Sequence, residues 1–525
     1  MHWGRKMTHL KTILVTSTAM AVAAAAWADS NKAAIVQNGS GNAALIDQGA
    51  GTNNVAGTTA TFTDYANIPL RQDGDNNDLS VKQSGDGNLV GYNGNSGNPA
   101  GYVQQLGDDN LATIEQTTDG NAVIRLSQKG DVGTGTGENV LTILQTGGNN
   151  NTLRTVLQQA TGGVPDLANT AALIQDGTGN LINTVQQFGE DNSLAVQMTG
   201  DSNGTTALSG VADVANDATF IQRGLGNMIN VDIAANNTGI GVEQRGNGNA
   251  VGTLDINGDN NEIGIAQGGP VNQSSQSGNN NLVAMGVIDG ASNIIGIRQW
   301  NDDNMAVLNI IGASDDNIVS ILQKDVFGTG GEAIVTIDGD ANGGDFNTVA
   351  IMQQAWGFAD VGIVGDQNNV HVTQFNAGEA TLRIGGAAEG DINFLSVVQG
   401  LSSPASPNVV TASIFGDGNN QAGGFSAPVS LTAAVAATGY QTWDGLQPGE
   451  LSQKGMGNVM SLTVGVDGVS QANDNLFAAS QHGDFNTLTG TINGSMNQAV
   501  VAQTGNRNVA VFAQIGSGNS IGIVQ

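Results

Sequence analysis

The chain has 525 residues, no cysteine, 77 glycines, 4% aromatic residues and a formal net charge of −30 from 46 acids and 16 bases. The absence of cysteine excludes disulfide staples, thiolate metal sites and cysteine nucleophiles together, and the acidic balance excludes a phosphate-binding surface, so no nucleic-acid partner is expected. A hydrophobic fraction of 39% is too high for simple disorder, yet so few aromatics and so many glycines are poor material for a globular interior, and the two facts together point to a repetitive rod.

The first element in chain order is a processing signal. Arg5, Lys6 and Lys11 form a basic start, residues 13–25 an apolar stretch, and Ala26-Trp27-Ala28 a small-x-small cleavage site, so cleavage is expected between Ala28 and Asp29. The apolar run is shorter than the ~20 residues that a membrane span needs. Removing three bases and no acid takes the charge from −30 to −33. The expected destination is secreted and extracellular.

An 11-residue unit follows, Q-x-G-x-x-N-x-φ-x-φ-x-Q, where φ is usually apolar. It opens as Gln37, Gly39, Asn42, Gln48 and returns as Gln105, Gly107, Asn110, Gln116. Further copies are Gln222-Gly224-Asn227, Gln244-Gly246-Asn249, Gln299 with Asn304, and Gln453-Gly455-Asn458. It is clearest at Gln481, Ile492, Gln503, Gln514 and Gln525, with Asn486, Asn497, Asn508 and Asn519 in phase. At Ile256, Ile288, Ile337 and Ile363 an aliphatic replaces the glutamine while an asparagine follows at Asn261, Asn293, Asn342 and Asn368; Asn261-Ile263-Ile265-Gln267 and Asn368-Val370-Val372-Gln374 then complete the strand.

Alternation with period two predicts that the Asn-φ-φ-Gln set faces inward, because Asp47, Asp78, Lys82, Glu115, Glu262, Arg298 and His371 occupy the opposite phase. One strand with a single apolar pair cannot bury itself, so two units pair across a corner and stack on their copies. The predicted fold class is all-β, a β-solenoid with about 22 residues per turn. Gly, Asn and Asp corners supply positive φ and turn closure. In-register stacking about 4.8 Å apart lets buried amides bond along the axis, which avoids the ~1–3 kcal/mol cost of an unpaired one.

All eight prolines lie outside the clear windows. The predicted organisation is a signal peptide at 1–28, repeats at 29–400 with loops near 50–71, 92–103, 160–172 and 204–219, an irregular Pro-containing insertion at 401–447, and C-terminal repeats at 448–525. Catalysis is not expected: beyond the signal the histidines are His371 and His482, and the acids sit mainly at repeated corners. No cofactor and no metal are expected, since the calcium-binding nonapeptide of β-rolls does not recur. The Thr487-x-Thr489-x-Thr491 run would suit ice binding only if neighbouring rungs repeated it, and they carry other residues.

The unit, two to a turn, resembles the curlin repeat of the bacterial curli subunits, and the resemblance spans nearly all of the chain after residue 28. It implies an amyloid-like solenoid built on internal Gln and Asn ladders, with Gln481, Asn486, Gln503, Asn508, Gln514, Asn519 and Gln525 as the best-fitting ladder positions. It further implies self-association or joining of other curli-like subunits, export through the outer-membrane curli secretion channel, and a cell-surface fibre, a pilus-like structure of adhesion and biofilm matrix in contact with host or abiotic surfaces. This chain departs from the short curlins in supplying around 20 rungs, and in lacking a Gly-rich leader before Gln37. The expected function is therefore fibre formation, with a monomeric secreted adhesin that binds a surface or glycan through its loops as the alternative.

Overall fold

Short runs such as Leu111–Gln116 alternate buried and exposed side chains along their length, the pattern of a strand with one face on a core. The computed structural model describes residues 22–23, 31–49, 51–57, 70–91, 101–130, 139–160, 168–268, 278–324, 331–338, 344–353, 357–374, 378–385, 390–400, 406–421, 425, 446–469 and 471–525. Among these residues there is no α-helix; one 3-10 turn, Gly210–Ala212, interrupts an otherwise all-β chain. The fold is a β-solenoid.

Two compact units are formed, one from Met1–Thr206 with Asp217–Asn237 and the other from Ala207–Asn216 with Thr238–Gln525. In the first unit, Ala43–Asp47, Asp78–Gln83, Leu111–Gln116 and Val140–Gly147 pair in succession as a parallel first sheet. The strands between them, such as Leu70–Asp73, Tyr102–Leu106, Ala122–Lys129 and Thr152–Gln159, make a parallel second sheet. The second unit repeats this plan, from Ala250–Ile256 to Val509–Ile515 in its first sheet and from Gly239–Arg245 to Ser520–Val524 in its second. Most rungs thus contribute one strand to each sheet, the second-sheet strand of the first rungs being split in two, and among the described pairings register is kept residue for residue apart from a slip between Met285 and Ile288.

The core lies between the two sheets of each unit. Leu79, Val81, Ala112 and Ile114 are fully buried on one side, and Leu126, Leu153 and Val185 on the other. Aliphatic residues of moderate size suffice because each rung has only to cover its neighbours above and below. Polar outward pairs follow the same register: Lys82 stands over Glu115, with Nζ 2.6 Å from Oε1.

Two sequence expectations meet a different arrangement, and a third falls outside the described residues. Residues 401–447, read as one irregular insertion, contain the strand Asn408–Ile414, which stacks between Gly378–Ile384 and Val459–Val464. It escaped notice because it enters through Pro407 with no Gln-x-Gly ahead of it. Asn342 lies outside the described residues, and Asn347, directly before Thr348–Gln353, takes the column position instead. Ala28 and Asp29 also lie outside the described residues, while Val22–Ala23 pair in parallel with Leu45 and Ile46.

Candidate functional site: four columns of buried amides

Glutamine ends each second-sheet strand on its inward face, and register places successive glutamines one above another. In the first unit Gln37, Gln72, Gln105, Gln128, Gln158, Gln187 and Gln222 form such a column, each Nε2 donating to the next Oε1 at 2.6–3.0 Å. In the second unit the column runs Gln244, Gln267, Gln299, Gln323, Gln353 and resumes as Gln399, Gln453, Gln481, Gln503, Gln525. The second amide proton is satisfied as well: Gln105 Nε2 also donates to the carbonyls of Asp78 and Asn110 at 2.8 and 3.0 Å. Fully satisfied networks of this kind stabilise a low-dielectric interior that unpaired amides would destabilise.

The first sheet has its own glutamine column in the first unit, Gln48, Gln83, Gln116, Gln145 and Gln175, bonded at 2.7–2.9 Å. It ends there, for Met198 and Ile233 stand next in register. In the second unit the same position is aliphatic, from Ile256, Ile288, Ile310 and Ile337 to Ile384, Ile414, Val464 and Ile492. Gln514 follows Ile492, and its buried Oε1 has no donor.

Asparagine opens each strand and forms the other two columns. Ahead of the first sheet stand Asn42, Asn77, Asn110 and Asn139; the backbone N–H of Asn77 donates to Asn42 Oδ1 at 2.9 Å and its Nδ2 to the Gly107 carbonyl at 2.7 Å. Asn249, Asn281 and Asn304, then Asn408, Asn458, Asn486 and Asn508, continue this arrangement in the second unit. Ahead of the second sheet stand Asn261, Asn293, Asn317, Asn347, Asn368 and Asn393, and beyond them Asn419, Asn475, Asn497 and Asn519. Successive asparagines thus tie one strand entrance to the next, and many, such as Asn77, Asn458 and Asn486, also hold a corner glycine carbonyl.

The corners follow from these bonds. Gly39 has φ +119°, and a Cβ there would lie 1.9 Å from the Gly74 carbonyl oxygen, so only glycine lets one corner sit on the next. Within the corners the carboxylates also form a column: in the second unit Asp315, Asp345, Asp366, Asp391 and Asp417 stack, each accepting the backbone N–H of a residue one rung earlier at 2.6–3.1 Å. Burial, with Asp366 and Asp417 as like charges, raises the Asp391 carboxyl above its ordinary value. In the first unit Asp75 and Asp86 are exposed, and the backbone N–H groups of Ser40 and Thr52 lower theirs.

One stretch of the second unit breaks the pattern. Gly331, Gly357 and Gly378 occupy the register position that Asn304 holds before them and Asn408 after. The corners from Gln353 to Gly357 and from Gln374 to Gly378 are one residue shorter than the usual Gln-to-Asn span, and no side chain fits: a Cβ on Gly378 would lie 2.5 and 2.6 Å from Gln399 Oε1 and Gln374 Oε1. Gln374 is thus in the column by register but its Nε2 donates to the Phe358 carbonyl at 2.6 Å. The buried Oε1 atoms of Gln374 and Gln399, with Asn304 Oδ1, have no partner.

The sequence reading singled out members of all four columns without separating them. It passed over Gln72, Gln83, Gln128, Gln145, Gln158, Gln187, Gln323, Gln353 and Gln399. Some were recoverable, since Gln72-Gly74-Asn77 fits the unit; Gln128 was not, because its asparagine, Asn139, comes after a long corner.

The columns coincide with a known repeat. A family model described as curlin associated repeat matches residues 74–117 and 494–525. The chain carries curlin repeats. The matched curlin repeats hold Asn77, Gln83, Gln105, Asn110 and Gln116 at one place and Asn497, Gln503, Asn508, Gln514, Asn519 and Gln525 at the other, and the same columns run through the rungs outside them. No curated protein matches the chain. Among the described residues no group of acidic and histidine side chains is arranged to hold a metal ion, and no helix is long and apolar enough to cross a membrane.

Proposed function

We propose that this is an extracellular structural protein that forms or joins curli-like amyloid fibres, in cell adhesion and biofilm matrix, with no catalytic role. The observation that carries the reading is the rung-to-rung bonding of the glutamine column, 2.6–3.1 Å wherever it is intact. Such a column uses the same donors and acceptors whether the next rung belongs to the same chain or to another copy, which is the bonding logic of cross-β assemblies. Self-association, or growth on other curli-like subunits, follows from it. Passage through the outer-membrane secretion channel and contact with a surface complete the proposal on the strength of the repeat family alone.

The test is to dilute denatured residues 29–525 into buffer and follow amyloid-dye fluorescence with and without preformed seeds. Seeded growth with diffraction near 4.8 Å and 10 Å is the expected result. A soluble, β-rich, dye-negative monomer would overturn it and leave a free-standing solenoid whose loops bind a surface or glycan.

A further inference from the structure

Outward positions of the second sheet are distributed unevenly in charge. In the second unit, the strands Ile294–Trp300, Ile318–Lys324, Thr348–Gln353, Asn369–Gln374 and Phe394–Gln399 contain no Asp or Glu. Strands of the first sheet in the same stretch direct Glu332, Asp338, Asp360 and Glu379 outward. In a chain of net charge −30 a face whose strands carry no acid, though the Asp315–Asp417 column borders its entrance edge, is where a second acidic body meets the least like-charge repulsion. The cations of this face, Arg298 and Lys324, flank the Trp300 ring at 5.8 and 5.3 Å from its centroid, at one corner of the face.

Relief matches charge. Ser320, Ala350, His371 and Ser396 stand in one register column and form a shallow groove of mostly small residues, which ends at Gly296 under residues 207–216. Beside it Leu322, Met352 and Val398 stand in register on either side of the buried Thr373, with Met352 37% exposed. A groove beside larger side chains at strand spacing is what two sheets need to interdigitate.

The chain already packs its own segments on the two flanks of this face. On one side residues 207–216 lie over Gly241, Gly264 and Gly296, where a Cβ would meet the carbonyl oxygens of Asn216, Ala212 and Val211 at 2.3, 1.9 and 1.8 Å. The acids found there are engaged by the same segment: the Ser209 backbone N–H and Oγ donate to Glu262 Oε2 at 2.7 Å, and Asn216 Nδ2 donates to Glu243. On the other flank Leu446 and Phe425 cover Ala478 and Val500.

We propose that the acid-free face from Ile318–Lys324 to Phe394–Gln399 is the surface by which two copies of this chain lie side by side, face to face, so that fibres associate laterally; this rests on the fibre reading. Four strands about 4.8 Å apart and six residues long give roughly 400 Å² per copy, or about 800 Å² in all, below the range of stable specific interfaces. A contact of that size holds soluble copies weakly and becomes effective when repeated along two fibres.

The experiment compares fibres of the wild-type chain with Ala350→Glu/Met352→Glu, which places acids on the face, and with Ile334→Glu/Thr336→Glu, which places the same charge outward on the first sheet. Circular dichroism verifies the fold, seeded growth rate reports axial assembly, and fibre width by electron microscopy reports lateral association. Wild-type and Ile334→Glu/Thr336→Glu fibres are expected to bundle; Ala350→Glu/Met352→Glu fibres should grow at the same seeded rate and stay single. Equal bundling of all three, or equal dispersal of both variants, overturns the proposal. So does single wild-type fibres that coat themselves with an added polyuronate through this face. Should no fibre grow, the fibre reading fails separately, and sedimentation decides: concentration-dependent dimers lost only in Ala350→Glu/Met352→Glu support the surface, and monomers throughout overturn it.

Discussion

Immediately before most column asparagines the backbone turns left-handed, Asn408 after Pro407 being an exception. The residue there is usually Gly, Asn or Asp, as at Asn76, Asp109 and Asn150 with φ of 55°, 58° and 62°, and these side chains tolerate the conformation at low cost. Ile392 adopts φ 56° in the same position, where a β-branched side chain is strained, and at 42% exposure it gains little burial in return. Replacing Ile392 with Asn should therefore stabilise its rung by roughly 1 kcal/mol. Hydrogen-exchange protection of Phe394–Gln399 checks this: slower exchange is expected, and faster exchange would mean that packing by the isoleucine outweighs the strain.

At the scale of the strand and its column, position within the column decides the cost of losing an amide. Gln105 accepts from Gln72 and donates to Gln128 and two carbonyls, so Gln105→Leu strands several buried groups and should cost about 3 kcal/mol or more. Gln374 makes one such bond and already carries an unpaired Oε1, so Gln374→Leu should cost about 1 kcal/mol. Exchange rates in the flanking strands measure both, and equal losses would show that the columns matter only as filler. The contrast also explains what was legible in the sequence. Strand existence, inward phase and corners were readable because Gln105, Gly107 and Asn110 each meet a requirement local to one rung. The division into four columns, the switch from Gln175 to Met198, and the gap at Gly331, Gly357 and Gly378 depend on which rungs become neighbours, and corners of varying length hide that. The packing of residues 207–216 on Gly241, Gly264 and Gly296 was hidden for the same reason, since glycines 23 and 32 residues apart look like ordinary repeat glycines until register aligns them.

For the whole molecule, an acidic chain built on in-register stacking aligns its own carboxylates, and individual carboxyls of the two units shift in opposite directions. In the first unit the carboxyls of Asp75 and Asp86 are lowered, so their contribution is present above the unfolded carboxylate range and is lost as pH falls through their lowered values. In the second unit Asp391 is raised by burial and by Asp366 and Asp417, and Asp360 by burial, so the stability they offer is complete below the unfolded range and lost as pH rises through their raised values. His371, lowered by burial, opposes that gain, because protonating it below its ordinary range costs the folded state. Asp391→Asn separates these effects. Asparagine keeps an Oδ1 to accept the Asp366 N–H, as Asn473 does for Asp417, but removes the charge from the stack. The variant should melt at a higher temperature than wild type at about pH 7, and the advantage should shrink as pH falls through the raised Asp391 value and the native carboxyl takes up its proton. Thermal melts on either side of that value read the difference. A variant less stable than wild type at pH 7 would show that the carboxylate is held by its backbone donor more than it is repelled by its neighbours. The same acidification, by lowering a net charge of −30, should also speed assembly, as added salt should by screening.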